Sequence, residues 1–160
     1  MSKYQVIVGR YEPMMLPKLG GGAIPAKIDT GAYRSAIHSS DIRVVKHKDG
    51  SKVLKATLLD HPTCAEAIEA EFTKFEKVEV TNSFGDKESR YEVDIRVKLG
   101  PKIATTRFTL ADRSRNAFPI LVGRKLLKGR FVVDVSHGGR VKRKTITKHF
   151  KGTLPEDFEA

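Results

Sequence analysis

The chain has 160 residues, 39% hydrophobic and 31% charged, which suits one globular domain with its own core and excludes a fibrous or disordered class. Its 30 Lys and Arg against 19 Asp and Glu leave a net charge of +11, which suits a polyanionic partner such as nucleic acid, a ribosome, an anionic membrane surface or an acidic peptide, or serves solubility alone. The single cysteine, Cys64, excludes an intramolecular disulfide. The Met-Ser-Lys-Tyr-Gln start lacks a signal-peptide core and no apolar run approaches a membrane helix, so a cytoplasmic protein with no membrane partner is expected.

Tyr4 to Gly9 is the first strand candidate, with Val6, Ile7 and Val8 as its apolar core. Glu12 to Gly22 reads as a loop, because Pro13, Pro17 and Gly20-Gly21-Gly22 break any period. That glycine run lacks the Gly-Lys-Ser/Thr ending of a phosphate loop, so it offers no ATP site. Ile24 to Ile28 reads as a buried strand, with Pro25 where a strand-start proline is tolerated, and runs into a tight turn at Asp29-Thr30-Gly31-Ala32. Ser35 to Ser39 is another strand. Asp41 to Lys48 and Lys52 to Leu59 flank Asp49-Gly50, a hairpin signal. Asp60 to Thr63 is a turn, and Cys64 to Glu71 has helix-forming composition without a long apolar face.

Phe72 to Thr81 and Ser89 to Leu99 bracket a polar tip at Asn82 to Lys87, and Tyr91, Val93, Ile95, Val97 and Leu99 alternate as in a half-buried strand. Gly100-Pro101 turns the chain into a strand over Ile103 to Leu110. Ile120 to Val122 is an apolar run suited to a strand covered on both faces. Gly123 breaks it, and Lys125 to Lys128 give one or two helical turns. Phe131 to Val135 is a last buried strand, ended by Gly138-Gly139. Many short strands with glycine and proline turns predict an all-β barrel or sandwich over residues 1–139. Residues 140–160 form a basic C-terminal extension carrying Arg140, Lys142, Arg143, Lys144, Lys148 and Lys151.

Asp29-Thr30-Gly31-Ala32 is, on its own, also compatible with an Asx-type turn closing a hairpin. Placed after a hydrophobic strand, it resembles the active-site signature of retroviral-type aspartic proteases. Phe118 to Leu127, with Ile120-Leu121-Val122-Gly123-Arg124 at its centre, resembles their Ile-Ile-Gly-Arg-x-Leu-Leu segment. Together with Ala26-Lys27, Ser35-Ala36-Ile37-His38, Asp112-Arg113-Ser114-Arg115 and Phe131-Val132-Val133-Asp134, these motifs resemble the bacterial RimK-associated protease family from Val6 to Val135. That family has been labelled both an ATP-dependent zinc protease and a retropepsin-like aspartic endopeptidase.

The resemblance implies a retropepsin-like closed lobe with one short helix after Val122-Gly123-Arg124, a flap around Phe84-Gly85, and an inserted hairpin at Asp41 to Leu59. It implies an aspartic-type peptidase with Asp29, Thr30 and Gly31 as the catalytic loop and no cofactor. An aspartic mechanism needs two carboxylates sharing a proton, and this chain has one Asp-Thr-Gly, so a homodimer with Asp29 of each chain at the two-fold axis is expected. Family association with the ligase RimK, which adds glutamates to a ribosomal protein, implies an acidic tail as substrate and a RimK-type ligase as possible partner. Lys27, Arg34, Arg113, Arg115 and Arg124 are the expected carboxylate-binding residues. One departure stands out. Tyr33 and Arg34 follow Ala32 where retroviral enzymes carry an acid that pairs with the arginine of Gly-Arg, so Arg124 lacks that partner and Arg34 brings a cation beside Asp29.

Two alternatives stay open. His38, His61 and Cys64, with Asp29 or Asp60 as oxygen donor, supply a zinc ligand set in which His61-x-x-Cys64 has plausible spacing, although His-Glu-x-x-His and a second Cys are absent. The basic C-terminal stretch also suits a ribosome- or RNA-binding module that uses the fold as a scaffold, without the stacked aromatics of a known RNA motif.

Overall fold

The structure, a computed structural model, describes residues 5–20, 22–82, 84–147 and 154. Tyr4, Gly21 of the glycine run, Ser83 of the polar tip, and Lys148, His149 and Lys151 of the basic extension lie outside the described residues. In chain order the elements are β1 (Val6–Val8), β2 (Tyr11–Met15), β3 (Ile24–Ile28), β4 (Ser35–Lys46), β5 (Lys52–Leu58), β6 (Ile68–Phe72), β7 (Glu76–Thr81), β8 (Lys87–Leu99), β9 (Lys102–Ala111), β10 (Ile120–Val122), α1 (Arg124–Leu127), β11 (Phe131–Val133) and α2 (Arg143–Thr147).

Six strands close a barrel in the order β10-β3-β2-β8-β9-β4, and β4 pairs back onto β10. Closure removes the open edges that a sheet would otherwise expose. The expected alternation of the 91–99 strand holds: Val93, Ile95, Val97 and Leu99 are buried, and they meet Met14, Ile37, Phe108, Leu110 and Ile120 inside. β4 is one long strand where the sequence suggested two. Its register slips between Ser40 and Arg43, with Asp41 at φ 50, a conformation that aspartate tolerates. This bulge bends β4 away from the barrel, so its second half carries β5 and β6 as a side sheet. Asp49-Gly50 does form the hairpin turn, with Gly50 at φ 90.

Two expectations are corrected. The stretch read as a loop from Glu12 to Gly22 begins as strand β2. Pro13 faces Pro25 across the β2–β3 ladder, and β8 joins β2 only at Met14 and Met15, so neither missing N–H interrupts a required bond. The stretch from Cys64 to Glu71, read as helix-forming, instead yields strand β6, paired along β5. Ala70 points inward, Ile68 and Phe72 are half buried, and Glu69 and Glu71 face solvent, where Glu69 accepts a 2.8 Å bond from Thr57 and Glu71 pairs with Lys55 at 3.3 Å. Edge pairing overrides the helical preference of Ala and Glu.

The short helix expected after Val122-Gly123-Arg124 is α1. A second one, α2, lies in the segment read as basic extension. There Val141, Ile146 and Leu154 are buried with Tyr11 and Phe118, whose rings stack at 4.7 Å. Gly139, at φ 81, brings this segment against β2, where a Cβ would fall 1.8 Å from the Tyr11 carbonyl oxygen. Ile146 is 1% exposed, so Ile146→Ala is expected to lower unfolding free energy by about 2–4 kcal/mol. Lys144→Ala on the exposed face should shift it by less than about 0.5 kcal/mol. Denaturant unfolding of both variants checks this, and equal midpoints would mean that α2 contributes nothing to the core.

Candidate active site

Asp29 is the first residue beyond β3, and its backbone is held by the strand alongside. The Asp29 N–H donates to the Val122 carbonyl at 2.9 Å, the Ile28 N–H to the Arg10 carbonyl at 2.8 Å, and the Ala32 N–H to the Asp29 carbonyl at 3.3 Å. The half-buried Asp29 carboxylate accepts from the Gly31 N–H through Oδ1 at 2.9 Å. A Cβ on Gly31 would sit 3.2 Å from that oxygen.

The second motif buttresses the first. Gly123 donates its N–H to the buried Ser35 hydroxyl at 3.0 Å, and a Cβ there would lie 2.5 Å from the Arg34 carbonyl oxygen, so only glycine fits. The Arg124 and Lys125 amides, at the start of α1, donate to the Ala32 and Tyr33 carbonyls at 2.8 and 3.1 Å. Arg124 finds a partner that the sequence did not suggest, since its Nη1 donates to the Thr30 carbonyl at 3.0 Å. The Tyr33 ring, half exposed, is surrounded by the cations of Arg34, Arg124 and Lys125 at 5.7, 5.9 and 5.6 Å from its centroid.

Asp29 opens onto a cleft of about 930 Å³. Lys27, Arg34, Arg90 and Arg113 line it, and residues Glu79 to Asn82 of β7 and the following tip form another wall. The β7–β8 hairpin thus takes the flap position expected for Phe84-Gly85. Asn82 Oδ1 caps its tip by accepting from the Phe84 and Asp86 amides at 2.9 and 3.0 Å, and Phe84 projects with 89% exposure. Arg124 and Arg115 do not line this cleft: Arg124 braces the Thr30 loop from outside it, and Arg115 is exposed on the 112–118 loop.

Each cleft arginine has its own tether. Arg34 Nε donates to Glu92 Oε2 at 3.0 Å, and Glu92, 3% exposed, also pairs with Arg107 at 3.3 Å. Arg90 is tied to Glu88. Arg113 Nε donates to the Phe118 carbonyl at 3.0 Å. Burial, with Arg90 nearby, pulls the Arg113 guanidinium down to about 10 while the Asp29 charge holds it up, so it stays a cation at neutral pH. Glu92 and Arg90 were missed from sequence. Alternation puts Glu92 on the face opposite Val93, which reads as solvent, whereas Arg34 and Arg107 cover it there.

His38, His61 and Cys64 occupy other roles. His38, buried on β4, accepts the Arg113 backbone N–H at Nδ1 at 2.8 Å. His61 accepts the Thr63 N–H at Nδ1 at 3.2 Å and donates from Nε2 to the Arg113 and Asn116 carbonyls at 3.0 Å each. Burial pushes the Cys64 thiol up to about 11. Among the described residues, no three His, Cys, Asp or Glu side chains gather so as to hold a metal ion.

A retropepsin-like lobe is what this closed barrel, with its one buttressed aspartate loop, defines. Residues 7–144 match the RimB-like family model, described as retropepsin-like aspartic endopeptidase RimB, and the chain belongs to that family. It is 30% identical over 139 residues to a probable alpha-L-glutamate ligase of Shewanella pealeana, covering 85% of this chain and 30% of that protein. It is 32% identical over 133 residues to one of Parasynechococcus marenigrum, covering 81% and 28%. The chain therefore spans less than a third of these relatives. Among solved structures it is similar to Lpg0085, a protein with unknown function (DUF785) from Legionella pneumophila, at TM-score 0.64 and 29% identity over 83% of this chain and 95% of that one. No helix among the described residues is long and apolar enough to cross a membrane.

Burial holds the His61 imidazole below its ordinary 6.5. The unfolded chain then binds the proton more readily, so this contribution to stability is fully present above pH 6.5 and is lost as pH falls below it. Unfolding free energy should drop from pH 7 towards pH 5, and His61→Gln should flatten part of that slope. An unchanged slope in the variant would show that His61 does not carry it.

Proposed function

We propose that this protein is an aspartic peptidase acting as a homodimer, with Asp29 of each chain forming the dyad, on acidic peptides such as glutamate tails of a ribosomal protein. One observation carries the reading: a half-buried Asp-Thr-Gly carboxylate opens onto a cleft lined by Lys27, Arg34, Arg90 and Arg113. Two such carboxylates brought together cannot both ionise and share a proton. The charged one takes a proton from water as general base, and the protonated one polarises the scissile carbonyl. Arg124, bonded to the Thr30 carbonyl, holds the loop rigid, which leaves the Thr30 hydroxyl available to reach across the dimer.

The substrate class follows from the cations. A run of glutamates in extended conformation projects carboxylates to alternate sides. Arginine forks on the cleft walls suit such carboxylates, each partly enclosed pair contributing about 1.5–3 kcal/mol and each exposed pair about 0–1 kcal/mol. Membership in the RimB-like family and relatives named as glutamate ligases support a glutamate tail, made by a RimK-type ligase in the cytoplasm, as the natural target. The family's ATP-dependent label gains no support from this chain's glycine run.

The expected outcome is loss of hydrolysis in Asp29→Asn with the fold kept, because an amide oxygen still accepts the Gly31 N–H. On the active chain, kcat/KM should favour oligoglutamate over oligoglutamine, and Arg34→Gln and added salt should both narrow the gap. Equal rates on both peptides would remove the acidic-substrate reading. Exhaustive chelation should leave turnover intact, whereas loss that zinc restores, with the fold unaffected, would transfer the chemistry to a metal.

A further inference from the structure

The loop from Asp112 to Phe118 has no regular secondary structure, yet Arg113 within it is held from three directions. Its N–H donates to His38 Nδ1 at 2.8 Å, its carbonyl accepts from His61 Nε2 at 3.0 Å, and its Nε donates to the Phe118 carbonyl at 3.0 Å. Both histidines are rigid supports, 3% and 5% exposed, with rings in edge contact at 5.3 Å. His38 is built into the barrel through its N–H to Pro119 and its carbonyl to Leu59. The Thr63 amide on His61 Nδ1 fixes the tautomer that carries a proton on Nε2. The two terminal nitrogens of Arg113 make no hydrogen bond with any described residue. A guanidinium that lines the cleft, is anchored through Nε and bonds none of the described residues through its outer edge offers a fork to one carboxylate.

We propose that His38 and His61 are positioning residues that present the outer edge of Arg113 as a carboxylate-binding subsite beside Asp29. Its use in peptide cleavage rests on the peptidase reading, but its capture of a carboxylate does not. The ligand is a carboxylate of an extended peptide, from a glutamate-type side chain or from the chain's own C-terminus. Without the histidines the Arg113 main chain keeps only the Asn116 N–H on its carbonyl, a 2.9 Å bond within the loop itself, and loses both bonds that tie it to the residues beneath, so the fork no longer faces the cleft in one orientation.

The test measures binding, so that turnover does not enter. Asp29→Asn protein is titrated with C-terminally amidated pentaglutamate, with pentaglutamine as free acid, and with pentaglutamine amide as the uncharged control. Binding of either acid above the control supports the subsite and identifies which carboxylate it takes. In this background Arg113→Gln should weaken the preferred acid by about tenfold or more, as expected for losing a charge-assisted pair. His38→Leu should do the same, and His38→Asn should restore most of it, because Asn Oδ1 accepts where Nδ1 did. If His38→Leu does not fold, His38→Asn and the Arg113 Nε–H resonance still decide: the resonance should be protected in the parent and in His38→Asn. Binding unaffected by Arg113→Gln, or equal to the amide control, overturns the subsite even if wild-type protein cleaves peptides. Carboxylate binding that depends on Arg113 and His38, in a chain that cleaves nothing, would remove the peptidase reading and keep the subsite. Zinc that binds His38 and His61 together would overturn the positioning role.

Discussion

Strand β10 is three residues long and carries a ladder on each edge, parallel to β3 and antiparallel to β4. That double pairing closes the barrel, and it also sets the aspartate loop, because the last carbonyl of β10, on Val122, takes the Asp29 N–H. The chain must then leave β10 past the Tyr33 and Arg34 carbonyls at a separation that only Gly123 permits. α1 begins there with its first amides spent on the carbonyls of the aspartate loop. Both motifs are thus halves of one hydrogen-bonded knot, and a disturbance at Gly123 reaches Asp29 through one carbonyl.

The electrostatics are organised around the same knot. Retroviral enzymes place an acid after the Asp-Thr-Gly-Ala to hold the arginine of Gly-Arg. This chain has Tyr33 and Arg34 there, and Arg124 turns to the Thr30 carbonyl and the Tyr33 ring instead. Arg34 in turn is held by Glu92, a buried carboxylate shared with Arg107. Burying Glu92 without those cations would cost several kcal/mol, so the pairing is compulsory and the Arg34 side chain has little freedom. Tethering each guanidinium through Nε, as for Arg34 and Arg113, limits the entropy that the carboxylate of the proposed acidic peptide would have to remove.

What was legible in the sequence was local. Asp29-Thr30-Gly31 and Val122-Gly123-Arg124 encode a turn and a break in few residues, and the alternation from Tyr91 to Leu99 reports one buried face. The barrel class followed from the many short strands with glycine and proline turns, and the place of the flap hairpin from the resemblance to retropepsins. What was not legible depends on partners distant in the chain. β2 survives its proline because Pro25 lies opposite, and β6 is a strand because β5 offers an edge. His38 and His61 read as possible ligands, since spacing cannot tell a metal from a main-chain amide 75 residues away. Arg90 had no local signal as a cleft residue, because only folding β8 over the Asp29 loop brings it there.

The central claim is that one lobe holds half of a catalytic dyad. The most direct measurement mixes wild-type and Asp29→Asn subunits at a fixed total concentration, lets the dimers exchange, and follows the rate on oligoglutamate. A shared dyad makes the mixed dimer inactive, so an equal mixture should retain about one quarter of the wild-type rate. Retention of about one half, in proportion to the wild-type chains present, would show that each chain works alone and would contradict the account.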